Sequence, residues 1–139
     1  MRALGIDLGS KRIGVAVSDS DGAVATPITT ITRSRRRADD HRALSALVAE
    51  WQAEAVVVGL PLSLDGTVGP AARAVLDEVD ELRAAITVPI DTVDERFTTV
   101  TATEQLRQQG VSGPKRAAVV DQLAAAVLLQ AWLERRSTT

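Results

Sequence analysis

Cysteine is absent from the 139 residues, and histidine occurs once, as His41. The first absence excludes disulfides and every thiolate-based zinc, iron–sulfur or nucleophile chemistry. The second removes any multi-histidine metal site and leaves a Ser-His-Asp hydrolase without support. Tyrosine is missing as well, and Trp51, Phe97 and Trp132 are the only aromatic residues. No apolar run reaches the length of a membrane span and no signal-peptide pattern opens the chain. A cytoplasmic protein without membrane contact is therefore expected. What remains is 45% hydrophobic and 24% charged residues, the composition of a globular domain. With no repeat, linker or low-complexity tract, residues 1–139 read as one domain.

The formal net charge of −2 hides a segregation. Residues 1–42 carry eight Arg or Lys against five acids, residues 43–104 three against eleven, and residues 105–139 five against two. Both ends of the chain are basic around an acidic middle, so the total says little about any one face.

Residues 2–8 and 12–19 are β-rich runs separated by Gly9-Ser10-Lys11, which reads as a tight hairpin. Residues 23–32 form a third strand, with Pro27 pointing to an edge position because proline cannot donate to a ladder. Leu44, Leu47, Val48 and Trp51 fall at i, i+3, i+4 and i+7, an amphipathic helix over 39–53 with Asp39 or Asp40 as N-cap. Residues 55–60 are a short continuous apolar run, expected of a strand covered on both faces. After a loop from Pro61 to Pro70, a helix over 70–84 buries Ala72, Val75, Leu76, Val79 and Leu82 and exposes Asp77, Glu78, Asp80 and Glu81. A strand over 88–94, a helix over 98–109 closed by Gly110, a loop to Pro114 and a long helix over 116–135 complete the chain. This order predicts an α/β fold: a mixed five-stranded sheet with helices on both faces.

Four places carry potential chemistry. Asp7 sits near the end of an apolar strand, where a carboxylate either caps the following turn or needs a partner. Asp121 is the only charged residue between Ala117 and Leu133, in a helix apolar nearly all round. Such a helix is buried, so its lone acid requires an arginine or a bound cation. Asp91, Asp94 and Glu95 cluster at the C-terminal end of a strand, where α/β sheets gather their sites. Gly9-Ser10-Lys11-Arg12 and Val58-Gly59-Leu60-Pro61 place glycines at strand ends, where backbone amides approach phosphate.

Together these segments resemble one family. Gly5-Ile6-Asp7-Leu8-Gly9-Ser10-Lys11-Arg12-Ile13-Gly14-Val15 is similar to the opening of the YqgF/RuvX family. Val58-Gly59-Leu60-Pro61 with Asp65-Gly66, then Asp94-Glu95-Arg96-Phe97-Thr98-Thr99, then Lys115 and Val120-Asp121 follow in the family's order. The likeness spans about residues 3–133. It implies a ribonuclease H-like fold with sheet order 3-2-1-4-5. It also implies a nuclease that matures the 5′ end of the small-subunit ribosomal RNA precursor, or one that resolves branched DNA (Holliday junctions).

Carried over by position, the resemblance implies an acidic triad of Asp7, Glu95 and Asp121 holding Mg²⁺ or Mn²⁺, with Asp7 between two ions. An all-carboxylate set suits those hard cations, which can activate water and stabilise the leaving oxygen of an in-line displacement. Asp94 is the alternative to Glu95, because adjacent strand residues point oppositely and sequence leaves the register open. Lys11, Arg12 and Arg96 are expected to face phosphate, and Lys115 and Arg116 to contact the strand. The loop before Asp121 is less basic than in many family members; Arg33, Arg35, Arg36 and Arg37 form either a compensating patch or a solvated turn. With so few rings, nucleic-acid recognition should rest on phosphate and shape. A homodimer through an exposed Trp132 or the 70–84 helix is a further expectation.

Two rivals stand. Gly5-Ile6-Asp7-Leu8-Gly9-Ser10 also resembles the first phosphate motif of actin-like and sugar-kinase ATPases, which need two such lobes where 139 residues supply one. The other is a non-catalytic RNA-binding factor of ribosome biogenesis or transcription that keeps a vestigial site.

Overall fold

In the computed structural model, the first two strands, β1 (Ala3–Leu8) and β2 (Arg12–Ser18), pair antiparallel with Asp7 opposite Gly14. Gly9 closes the turn between them by donating to the Arg12 carbonyl at 3.0 Å. The structure describes residues 1–95 and 113–137, apart from the side chains of 113–117 and 137. The expected helix over 98–109 lies outside the described residues.

Among the described residues strand β3 (Ala25–Thr32) pairs only with β2, so Pro27 sits on an edge, as its missing N–H requires. The register slips between Val15 and Ala16, which face Thr29 and Pro27 and leave Ile28 as a bulge beside the proline. Strand β4 (Ala55–Leu60) runs parallel to β1 and is buried along most of its length. Strand β5 (Ile90–Asp94) runs parallel to β4. The sheet order is β3-β2-β1-β4-β5, as expected.

Helices α1 (Arg37–Glu50) and α2 (Pro70–Ala85) cover one face, packing Leu44, Val48, Val75, Val79 and Leu82 on Leu4, Ile6, Val15, Val56 and Val58. Helix α3 (Gly113–Ser137) covers the other, with Leu128, Leu129 and Trp132 on Ala3, Ala16, Val57 and Val93. No helix among the described residues is long and apolar enough to cross a membrane.

Four expectations are corrected. Helix α1 starts at Arg37 with Arg36 as its cap residue, and neither Asp39 nor Asp40 caps it. Asp40 is instead buried and accepts the Ser34 amide at 2.9 Å, bracing the segment before the helix. Helix α3 begins at Gly113, so Pro114 lies in its first turn and not in a preceding loop. Proline is tolerated there because first-turn amides have no helical acceptor. Glu78 is buried, not exposed, for reasons given below. Trp132 is buried as well: its indole donates to Asp91 Oδ2 at 2.9 Å and Arg136 stacks over its ring, which removes it as an exposed dimer surface.

Candidate active site

Strand parity decides which carboxylates meet. On β1, Leu4 and Ile6 face α1 and α2 while Ala3 faces α3, so Asp7 points toward α3. On β5, Val93 faces α3, and so do Asp91 and, two residues beyond Val93, Glu95; Asp94 takes the opposite direction. Asp121 lies on α3 itself. The ambiguity between Asp94 and Glu95 is thus a matter of alternation that only the pairing of β5 with β4 could settle.

Two glycines let the helix and the carboxylates come close. A Cβ on Gly14, the partner of Asp7, would stand 1.9 Å from the Asp121 carbonyl oxygen. One on Gly59 would stand 2.3 Å from Glu95 Oε2 and 2.9 Å from Leu128. Gly14→Ala therefore has to push α3 off β2. A destabilisation of about 1–3 kcal/mol is expected from such overpacking, read as a lower midpoint in urea, and Asp121 would move with the helix.

The electrostatics follow from burial and crowding. Burial, and then the charge of Asp121, raise the Asp7 carboxyl from 3.8 to about 6. Burial, then Asp7, then Asp94 raise Glu95 from 4.5 to about 7. These groups oppose one another unless protons or a cation relieve them. Arg12 meets part of the need: its Nε donates to Asp121 Oδ2 at 2.8 Å, an ion pair with the arginine 35% exposed.

The pH dependence has a definite sign. Unfolded, both carboxyls release their protons near pH 4; folded, they hold them to about 6 and about 7. Between those limits the folded state binds more protons, so the stability these groups contribute is lost as pH rises through that window. Thermal melts of the protein in EDTA should show Asp7→Asn flattening this fall and raising Tm at pH 8. A melt at pH 8 no higher than that of the parent would contradict the burial of Asp7.

Asp7, Glu95 and Asp121 are all hard oxygen donors, a set that fits Mg²⁺ or Mn²⁺ and no soft metal. Among the described residues no three His, Asp or Glu stand close enough, as arranged, to hold an ion. Asp121 is turned to Arg12 instead. Of the expected phosphate contacts, Lys11 is exposed in the β1–β2 turn and Arg12 is on Asp121. Arg35 and Arg36 are exposed before α1. Arg96 and the side chains of Lys115 and Arg116 lie outside the described residues. Arg33 and Arg37 are not an open patch: Arg33 forks onto Glu78 with both bonds at 2.8 Å, and Arg37 reaches Glu81 at 2.5 Å.

Sequence reading missed the network beneath the Asp7 turn. Glu78, buried on α2, accepts the Arg33 fork and meets His41 Nε2 at 2.8 Å. Arg33 Nε also donates to the Gly9 carbonyl at 2.7 Å, tying the turn after Asp7 to both helices. A signal was present. His41 falls at i−3 and i−7 from the buried Leu44 and Val48, and Glu78 at i+3 and i−4 from Val75 and Leu82.

A mixed sheet in the order β3-β2-β1-β4-β5 with carboxylates at one edge defines the class. It is the ribonuclease H-like α/β fold, shared with RuvC of Thermus thermophilus at a TM-score of 0.61 over 100% of this chain and 98% of that one, with 19% identity. The RuvX family model, described as Holliday junction resolvase, matches residues 1–135, and the chain belongs to that family. Relatives include a protein of Mycobacterium ulcerans (strain Agy99), 48% identical over 99% of this chain and 81% of its own length. Another, from Anaeromyxobacter sp. (strain K), is 43% identical over 99% of both chains. Each bears the name "Putative pre-16S rRNA nuclease". The family likeness read from the sequence is thereby borne out.

Proposed function

We propose that this chain is a divalent-metal-dependent nuclease acting on the precursor of small-subunit ribosomal RNA. The observation that carries the proposal is that strand parity and the close seating of α3 on Gly14 bring the carboxylates of Asp7, Glu95 and Asp121 to the α3 face of the sheet. A half-buried, mutually repelling set of carboxylates costs stability unless a cation neutralises it. The names borne by the relatives support the choice of RNA.

Asp7, Glu95 and Asp121 would hold Mg²⁺ or Mn²⁺, which when bound supplies a polarised water and charge neutralisation at the phosphodiester. The chain's own part is positional. The hairpin and β5 bring Asp7 and Glu95 to the same face, and α3, seated on Gly14, adds Asp121. Exposed Lys11, and Arg12 when it leaves Asp121, give positive charge for the phosphates beside the cleaved bond. By the family resemblance, Arg96, Lys115 and Arg116, whose side chains lie outside the described residues, would serve the same phosphates.

A second reading, cleavage of branched DNA, is favoured by the family description and by the likeness to a RuvC structure bound to a Holliday junction substrate, TM-score 0.55 and 23% identity over 99% of this chain. The deciding experiment offers precursor ribosomal RNA and a synthetic four-way junction, each with and without Mn²⁺. Cleavage of the RNA alone selects the first reading and cleavage of the junction alone the second. Binding without cleavage of either selects a non-catalytic RNA-binding factor.

A further inference from the structure

On the opposite face of the sheet from Asp121, but at the same edge as Asp7, lies a cleft of about 510 Å³. Its lining includes Gly9 and Ser10 of the turn after Asp7, Pro61 after β4, Arg35 before α1, and Ala71 and Ala74 on the first turns of α2. That volume is within the range of small-ligand pockets, roughly 300–1,000 Å³, and large enough for one nucleotide.

The cleft is built from fixed charges. Arg33 and Glu78 form part of its lining, locked in their bidentate pair, and buried Asp40 is held on the Ser34 amide. These groups are satisfied and fix the shape. Arg35 differs: it is exposed and, among the described residues, makes no ion pair. The α2 N-terminus beside it carries no acid in its first turn, so its dipole adds to the positive potential. Leu8, Pro61 and Val75 supply an apolar wall for a ribose or base.

We infer that this cleft is a subsite for one nucleotide of the substrate strand flanking the cleaved bond, with Arg35 on its phosphate and the Gly9-Ser10 turn joining it to the Asp7 side. The inference rests on the nuclease reading and deepens it: the strand crosses the sheet edge over the β1–β2 turn and is gripped on both faces. A strand held on two sides of one turn is read by backbone and shape, which agrees with a chain so poor in aromatic residues.

The test measures anisotropy of a labelled precursor-RNA fragment and a labelled four-way junction, in EDTA so that nothing is cut. Arg35→Ala is expected to weaken binding of the true substrate about tenfold and to lower the slope of log K against log salt by about one. Ala74→Trp, which fills the cleft from an exposed position, should weaken it similarly at unchanged Tm. Arg83→Ala, in the last turn of α2, should leave binding within about twofold. Parent-like binding by both Arg35→Ala and Ala74→Trp overturns the inference. So does saturable perturbation of the Gly9 and Ser10 amides by 5′-AMP alone while Arg35→Ala binds the strand normally, because the cleft then serves a free nucleotide. Cleavage by the parent is scored separately, so failure of the subsite and failure of the nuclease reading are told apart.

Discussion

Under the proposed function, Asp7→Asn is expected to abolish Mn²⁺-dependent cleavage, a loss of at least about 10³-fold, and Asp121→Asn to do the same. A carboxylate that holds the cation contributes several kcal/mol of transition-state stabilisation, and each 1.36 kcal/mol is tenfold in rate. Asparagine keeps the shape and one acceptor oxygen but gives up the charge. The two variants part company in stability. Asp7 is half-buried and its carboxyl is raised to about 6, so neutralising it relieves repulsion and strengthens the metal-free fold at pH 8. Asp121 also repels Asp7, but it is paired with Arg12 at 2.8 Å, so its replacement trades that relief against a lost ion pair and should raise Tm less. Asp91→Asn is the matching control: Asp91 lies on β5, on the same face as Glu95 just beyond that strand, but it serves the Trp132 indole, and the variant should cut as the parent does. Single-turnover cleavage rates at fixed Mn²⁺ read the effect. Parent-like rates for Asp7→Asn and Asp121→Asn would remove the triad and with it the proposed reaction.

The second large effect concerns folding. Glu78→Ala is expected to destabilise the protein by about 3–5 kcal/mol, the cost of breaking a buried ion pair from one side. At about 2.1 cal/mol/K per residue of unfolding entropy, that is about 10–17 °C in Tm. The variant strands the Arg33 guanidinium and removes the partner of His41, both beneath the turn that follows Asp7. Burial pushes the Glu78 carboxyl up, but the hydrogen bonds from Arg33 and His41 and the charges of Arg33 and Arg37 outweigh it and leave it below its ordinary value. A carboxyl so depressed contributes stability above its unfolded pKa that is lost as pH falls through the folded one, opposite in sign to Asp7 and Glu95. Arg33→Met with Glu78→Leu should recover much of the loss, since an apolar pair of similar volume removes the stranded charge. Urea melts of the parent, the single and the double variant decide it. A single variant within 1 kcal/mol of the parent, as for a surface pair, would refute the burial of Glu78.

Trp132 and Glu78 show why part of the molecule was illegible in sequence. Each was assigned from its own helix, Trp132 as a surface ring and Glu78 as one of four solvated acids, while the group that buries it comes from elsewhere. Asp91 is 41 residues from Trp132, and Arg33 is 45 from Glu78. A polar group enters a core only with its partner, and no local period carries the partner's identity. Where the cause is local, sequence pattern and structure agree. The Gly9-Ser10-Lys11 turn, the edge position of Pro27 and the burial of β4 follow from covalent geometry and hydrophobic pattern alone. The cap of α1 lies between these cases. Asp39 and Asp40 are good cap residues by type, but Asp40 has a better use on the Ser34 amide.

By itself, then, the sequence determined the layering of helices on a mixed sheet and the exclusion of thiolate and multi-histidine chemistry, because residue type and spacing dictate these, while the strand order came with the family resemblance. Only the tertiary structure decided that Glu95 and not Asp94 shares a face with Asp7, that Arg12 pairs with Asp121, and that Glu78 and His41 anchor the turn behind the site. Those outcomes depend on strand register and on contacts between distant segments. Alternation with period two turns a one-residue shift into a change of face, and only the pairing of whole strands selects between the two.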